Sequence, residues 1–231
     1  MTYKNADEVK QDHVAKLGKE FGEIYNALNN ECIWVNLKWQ KFVGLFGENE
    51  KRITILNKSA PRFFWVVQGA LWDDTLLHLC RLTDPPQSVG RDNLTIQLLP
   101  RFIKEINFRD DIEKLITKAV NTVDFARDWR NRLIAHKDLL LKLEMNVEPL
   151  KPASRLKVRL AIEAICNVIN EISIHYFDAS VLFQPFEQPG GVRDLLIHLN
   201  RSVLFEEKRN QRIRNHQFLP EDLHDEAVEI D

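Results

Sequence analysis

The chain has 231 residues, 44% of them hydrophobic and 29% charged, enough apolar material for the core of one large domain. Its formal net charge of −2 is uneven: the last twelve residues, PEDLHDEAVEID, hold six acids and no Lys or Arg, and the rest carries 32 bases against 28 acids, too mild an excess to require nucleic acid. No apolar run approaches the roughly 20 residues that span a bilayer, the polar N-terminus lacks a signal-peptide block, and three scattered cysteines (Cys32, Cys80, Cys166) without CxxC spacing fit a reducing cytoplasm, not a disulfide frame or zinc site.

In chain order, residues 6–46 read as a helix or helix pair. Leu17, Phe21, Ile24 and Leu28 recur at helical spacing, Ile33, Leu37 and Phe42 continue the pattern, and Gly44 and Gly47 mark its end. ENEKRITILN predicts a short helix. SAPRFFWVVQGALWDDTLLHLCRLTDPP then predicts a central helix, apolar on nearly every face from Phe63 to Leu82, with Pro61 in its first turn and Asp84-Pro85-Pro86 as its stop. QSVGRDN reads as a loop and 94–106 as a modest helix.

One long helix is expected from about Asp110 to Leu143, followed by the proline-bearing connection NVEPLKPAS. A further helix runs from Ser154 to about Phe183, with Leu156, Leu160, Ile162, Ile165, Val168, Ile169 and Ile172 as its apolar residues. Residues 192–213 form a last helix or two, and 216–231 an acidic, mobile tail. With no internal repeat and no alternating strand, the class is all-α: an antiparallel helical bundle with additional helices, spanning 1–185, and a helical extension over 186–215.

The stretch DFARDWRNRLIAHKDLLLKL poses the central question. Val123, Ala126, Arg130, Leu133 and Ile134 share one face of an ideal helix, so an arginine sits in an apolar stripe, where an unpaired guanidinium costs several kcal/mol, on the order of magnitude for any buried charge. Phe125, Trp129 and His136 form a second apolar surface about 120° round the helix from Arg130. That second surface asks for a cover, and a second copy of the chain related by a two-fold axis would supply one, with Phe125 and Trp129 as anchors. Two readings of Arg130 stay open: a structural pair with a core carboxylate such as Asp73 or Asp74, or a cation whose head reaches a cleft. Asp124, Asp128, Arg132 and His136 also make an i, i+4 ladder, simplest as a salt-bridged stripe.

RNRLIAH, residues 130–136, resembles the Arg-Asn-x4-His motif of the HEPN superfamily, all-helical proteins that include many ribonucleases of toxin–antitoxin and antiphage systems. LHLCRLTDPP followed by RDWRNRLIAHKD resembles more closely the AbiU2-like branch associated with abortive infection, over roughly residues 10–185. The resemblance implies a metal-independent endoribonuclease without cofactor, working on RNA as a homodimer whose two motif copies line one cleft, with an antitoxin protein as a possible further partner. It gives His136 the general acid–base role, Arg130 the scissile phosphate, and Asn131 the orienting of phosphate or histidine. Arg132 and Lys137, flanking the motif, are candidates for contacts to RNA phosphates. Some family members carry a tyrosine two residues after the histidine as a target of AMP transfer; here that position is Asp138.

The same resemblance also fits a non-catalytic HEPN module that binds RNA or a protein, and a helical scaffold unrelated to HEPN remains a third reading. Asp74 and His78, with Cys80 nearby, lack a second cluster that would complete a metal site, and a buried histidine capped by a carboxylate is the simpler arrangement.

Overall fold

Local chemistry sets most helix ends. Asn5 caps α1 (Ala6–Leu17) through a capping box with Glu8. Gly18, at φ +87°, separates it from α2 (Lys19–Phe46), and Gly22 lets α2 lie against α1, since a Cβ there would meet the Val14 backbone at 2.5 Å. Asn49 accepts from the Arg52 N–H and opens α3 (Glu50–Ser59). Pro61 begins α4 (Pro61–Thr83), which stops just before Asp84-Pro85-Pro86. The computed structural model describes residues 4–88, 90–135, 143, 148–183, 189–217 and 219–223.

After α4, the expected loop holds the only strands among the described residues, a two-residue antiparallel ribbon of β1 (Gln87–Ser88) and β2 (Arg91–Asp92). The helix expected near 94–106 is a 3-10 helix over Ile96–Phe102, capped by Thr95 and carrying Pro100, whose missing N–H cannot close an α-helical bond. Then come α5 (Ile106–Thr122), α6 (Asp124–Trp129), a π-helical segment over Arg130–Ile134, α7 (Arg155–Phe177, capped by Ser154) and α8 (Val192–Arg214). A 3-10 turn over Pro220–Leu223 follows. The all-α expectation holds.

The chain divides into two compact units, 1–40 with 70–186, and 41–69 with 187–231, the division falling inside α2 and α4. In the first unit the helices pack antiparallel. Along α2 and α7, Tyr25 stacks on Phe177, the Tyr25 hydroxyl donates to Ile169 O, and Asn36 Nδ2 lies 3.2 Å from Cys166 Sγ. Glu31 meets His78 and Trp39 meets Trp72 along α2 and α4. Phe108 of α5 stacks on His175 near the end of α7, and Lys157 near the start of α7 lies over Phe125 of α6. Their buried residues (Tyr25, Leu28, Leu76, Leu79, Ile112, Ile116, Ile165, Ile169) build a core that burial of apolar area stabilises.

In the second unit α3 packs against α8, with Lys58 paired to Glu207 at 2.5 Å. Within the stretch expected as a mobile tail, Asp222 is buried. It accepts from the Leu219 N–H and pairs with Arg212, which first of all holds its carboxyl down at about pH 2.

Three expectations need correction. The helix predicted from Asp110 to Leu143 is broken at the buried Val123, whose N–H bonds Val120 O, three residues back, at 3.3 Å, and it changes winding at Arg130. Leu143 lies in a turn. The apolar wrap of α4 is not matched by burial along its whole length: Phe63, Trp65 and Val66 are more than half exposed, whereas Leu76, Leu79, Cys80 and Leu82 are buried. The helix expected to reach Phe183 ends at Phe177, where Asp178 takes the left-handed conformation (φ 52°) and its N–H closes on Ile174 O.

Candidate functional site

Arg130 is the first residue of the π-helical segment, in which Ala135 N–H bonds Arg130 O at 2.8 Å, five residues back. Such π turns are rare and occur often at functional sites. They also change the angle between successive residues, so over Arg130–Ile134 the α-helical wheel no longer applies.

The partner of Arg130 is Asp84, the residue that terminates α4. Arg130 Nη1 donates to both carboxylate oxygens, at 2.9 and 2.7 Å, with the two side chains 25% and 23% exposed. Arg130 Nε donates to Asn131 Oδ1 at 3.0 Å, so Asn131 orients the guanidinium. This replaces the expected pair with Asp73 or Asp74. Asp74 is instead bonded to Lys38 at 2.6 Å, and burial raises the Asp73 carboxyl above its ordinary range.

Arg127, which the sequence reading passed over, is the second cation at this helix end. Its Nη1 donates to Val120 O at 2.9 Å and its Nη2 to Thr83 O and Oγ1 at 2.8 and 2.6 Å, while Nε stands 3.8 Å from Asp84. Cations are stabilised here because the C-terminal carbonyls of a helix carry partial negative charge, and Asp84 adds a full one. Cys80 lies buried beside the pair; burial pushes its thiol up to about 11, against the pull of Arg130 and Arg127. The signal for Arg127 was its position three residues before Arg130, one helical turn away. For Asp84 there was none beyond its place at the helix stop.

The other expected residues divide. Arg132 Nη2 donates to Glu148 O at 2.5 Å and Nη1 lies 3.6 Å from Asp128, which gives the Asp128–Arg132 rung of the predicted ladder. Asp124 pairs instead with Lys151. Phe125, expected at an interface between copies, is 5% exposed within its own chain. Trp129 packs edge-on against Trp72 at 6.1 Å between ring centroids and donates from Nε1 to Lys151 O at 2.9 Å. Phe125 and Trp129 thus meet α7, α4 and the connection around Lys151 within their own chain. His136 and Lys137 lie outside the described residues.

A second charged cluster sits further back along α4. His78 is buried; its Nε2 is 2.7 Å from Glu31 Oε2, a close polar contact too poorly aligned to be a hydrogen bond, and its Nδ1 is 3.4 Å from Lys38 Nζ. Nδ1 facing an ammonium must be the unprotonated nitrogen, which assigns the ring proton to Nε2. Burial, then the charge of Lys38, push the imidazole down to about 4 against the attraction of Glu31. The expected carboxylate cap of His78 is therefore Glu31. Among the described residues no group of three His, Cys, Asp or Glu side chains is placed to hold a metal ion, and no helix is long and apolar enough to cross a membrane.

The family model HEPN_AbiU2, described as AbiU2, matches residues 18–195, a span that takes in Asp84, Arg127, Arg130 and Asn131. No curated protein and no solved structure matches the chain.

Proposed function

As the chain belongs to the AbiU2 family of HEPN proteins, we propose that it is a metal-independent endoribonuclease of a bacterial abortive-infection or toxin–antitoxin system, acting as a homodimer. The observation that carries this reading is the state of Arg130. It is held at three points by Asp84 and Asn131, is a quarter exposed, and meets no acceptor at Nη2 among the described residues. An aligned guanidinium with spare N–H groups suits a phosphate, which it binds through charge-assisted bonds.

In the proposed reaction a ribose 2′-oxygen attacks the adjacent phosphorus and the bond from phosphorus to the 5′-oxygen breaks. The 2′-hydroxyl proton passes to a base and a proton is delivered to the leaving 5′-oxygen, leaving a 2′,3′-cyclic phosphate and a 5′-hydroxyl. His136 is the proposed proton carrier, because an imidazole with an ordinary pKa near 6.5 exchanges protons near neutrality. Arg130 stabilises the charge that builds on the phosphoryl oxygens. Arg132 and Lys137 are proposed to meet neighbouring phosphates, and pairing of two chains is proposed to bring two motifs to one cleft, with an antitoxin protein as a further partner.

The test is incubation of the purified protein with total RNA in EDTA, beside His136→Ala and Arg130→Ala. Cleavage by wild type, with cyclic-phosphate ends and loss in both variants, is the expected result. Equal cleavage by all three proteins removes the assignment, and full inhibition by EDTA removes its metal-independence. For the dimer, sedimentation of wild type across a dilution series should show a dimer wherever cleavage is seen; an active monomer refutes the composite cleft.

A further inference from the structure

A guanidinium has five N–H donors in a fixed plane. In Arg130, Nε is taken by Asn131 and Nη1 by the two oxygens of Asp84, whereas the two donors on Nη2 meet no acceptor among the described residues. Two contacts on adjacent edges fix the plane as well as the position, and the third edge is left for a ligand. Asp84 is itself held in place: it follows α4 directly, Pro85 restricts its backbone, and Arg127 ties the same helix end to α5 through Thr83 and Val120. With Arg127 and Arg130 against Asp84, the cluster keeps a charge of +1, so an anion is still attracted.

We infer that Asp84 is a positioning residue for RNA, clamping Arg130 through Nη1 so that its Nη2 edge receives a backbone phosphate of the strand. This rests on the ribonuclease reading above for the identity of the ligand. It makes a prediction whose sign differs from simple electrostatics. Removing an acid beside an anion site raises the local positive charge and, if Asp84 only competed with phosphate, would tighten RNA binding. If Asp84 aligns the guanidinium, its loss weakens binding and slows the chemical step, because a misplaced reacting group costs up to about a hundredfold.

The experiment uses the full chain at fixed salt, since phosphate contacts are salt-dependent. Binding of a 2′-O-methyl oligonucleotide, which lacks the attacking hydroxyl, is measured for wild type, Arg130→Ala, Asp84→Asn and Asp84→Glu, and single-turnover cleavage is measured on the matching RNA. Asp84→Asn should bind about tenfold more weakly, equivalent to about 1.4 kcal/mol, and cleave roughly ten- to a hundredfold more slowly. Asp84→Glu should recover part of both. Should Asp84→Asn lose its helical circular dichroism, Asp84→Glu, which keeps the charge and shifts it by one methylene, becomes the test, and wild-type binding and cleavage by that variant overturn the inference. A folded Asp84→Asn that binds as tightly as wild type or tighter also overturns it. Wild type that binds through Arg130 without cutting RNA refutes the nuclease reading and leaves the role of Asp84 standing, whereas wild type that binds no oligonucleotide refutes the role itself.

Discussion

Two charged clusters are built along the same helix, α4, and they do opposite things with their charges. Around His78, the acids Glu31 and Asp74 are matched by Lys38 and by the charge of Arg81, and the imidazole they surround is buried and held neutral down to about pH 4. Around Asp84, two arginines face one carboxylate, both members of the closest pair keep about a quarter of their side chains exposed, and one guanidinium retains two uncommitted donors among the described residues. Burial with balanced partners switches titration off and leaves a structural joint between α2 and α4. Partial exposure with a surplus cation leaves something to bind with. An arginine in an apolar stripe therefore signals function less by its burial than by how many of its donors the fold leaves unused.

The comparison breaks first at Arg130. Arg130→Ala should lower RNA cleavage by about a hundredfold or more while leaving cooperative unfolding in urea nearly as in wild type; a large stability loss with cleavage retained would make this cluster a joint like the other. Arg127→Ala tests the division of labour within the cluster. Its three hydrogen bonds to backbone and Thr83 make it structural, so the variant should lose about 2 kcal/mol of stability, read from the urea midpoint, more than Arg130→Ala loses.

At the His78 cluster the expected signature is pH dependence. Its folded pKa lies below the unfolded value, so the unfolded chain binds more protons between about pH 6.5 and about 4. The associated stability is complete above about 6.5 and is lost progressively as pH falls through that window. Urea unfolding across this range should show the slope in wild type and a shallower one in His78→Gln; identical slopes would show that the imidazole does not titrate as its surroundings dictate. The smallest effect is expected from Lys38→Gln. Removing that ammonium should raise the His78 pKa, since only burial and the smaller effect of Arg81 then oppose Glu31, and an NMR titration that finds it unchanged would leave desolvation as the main cause.

Most of the fold was legible because helix signals are local. The apolar repeat of α2, Ser154 at a helix start, Pro61 at a first turn and Asp-Pro-Pro at a stop each act within about a turn of chain, and α4 and α7 begin close to where these residues say. The break at Val123 and the π turn at Arg130 were not legible. The residues from 110 to 135 satisfy one continuous helical pattern, and nothing local distinguishes a residue whose N–H finds its partner three or five positions back from one that finds it four back. Exposure of Phe63, Trp65 and Val66 was hidden for a related reason: an apolar side chain reports what it would gain by burial, not whether a neighbour arrives to bury it.

The motif divides along the same line. The sequence alone determined that a cation would stand at position 130 beside an amide, on a helix, six residues before a histidine, because those are facts of identity and spacing. It also determined that so costly a charge needed a counter-charge or an opening. Which carboxylate would answer was decided by tertiary structure: Asp84 lies 46 residues away and reaches Arg130 only because α4 and α6 pack with Thr83 beside Arg127. The same packing gave Phe125 and Trp129 partners within their own chain. Local sequence carries the short-range terms, capping, periodicity and steric stops; pairing across helices depends on a register summed over every contact between them, and no single stretch of sequence contains it.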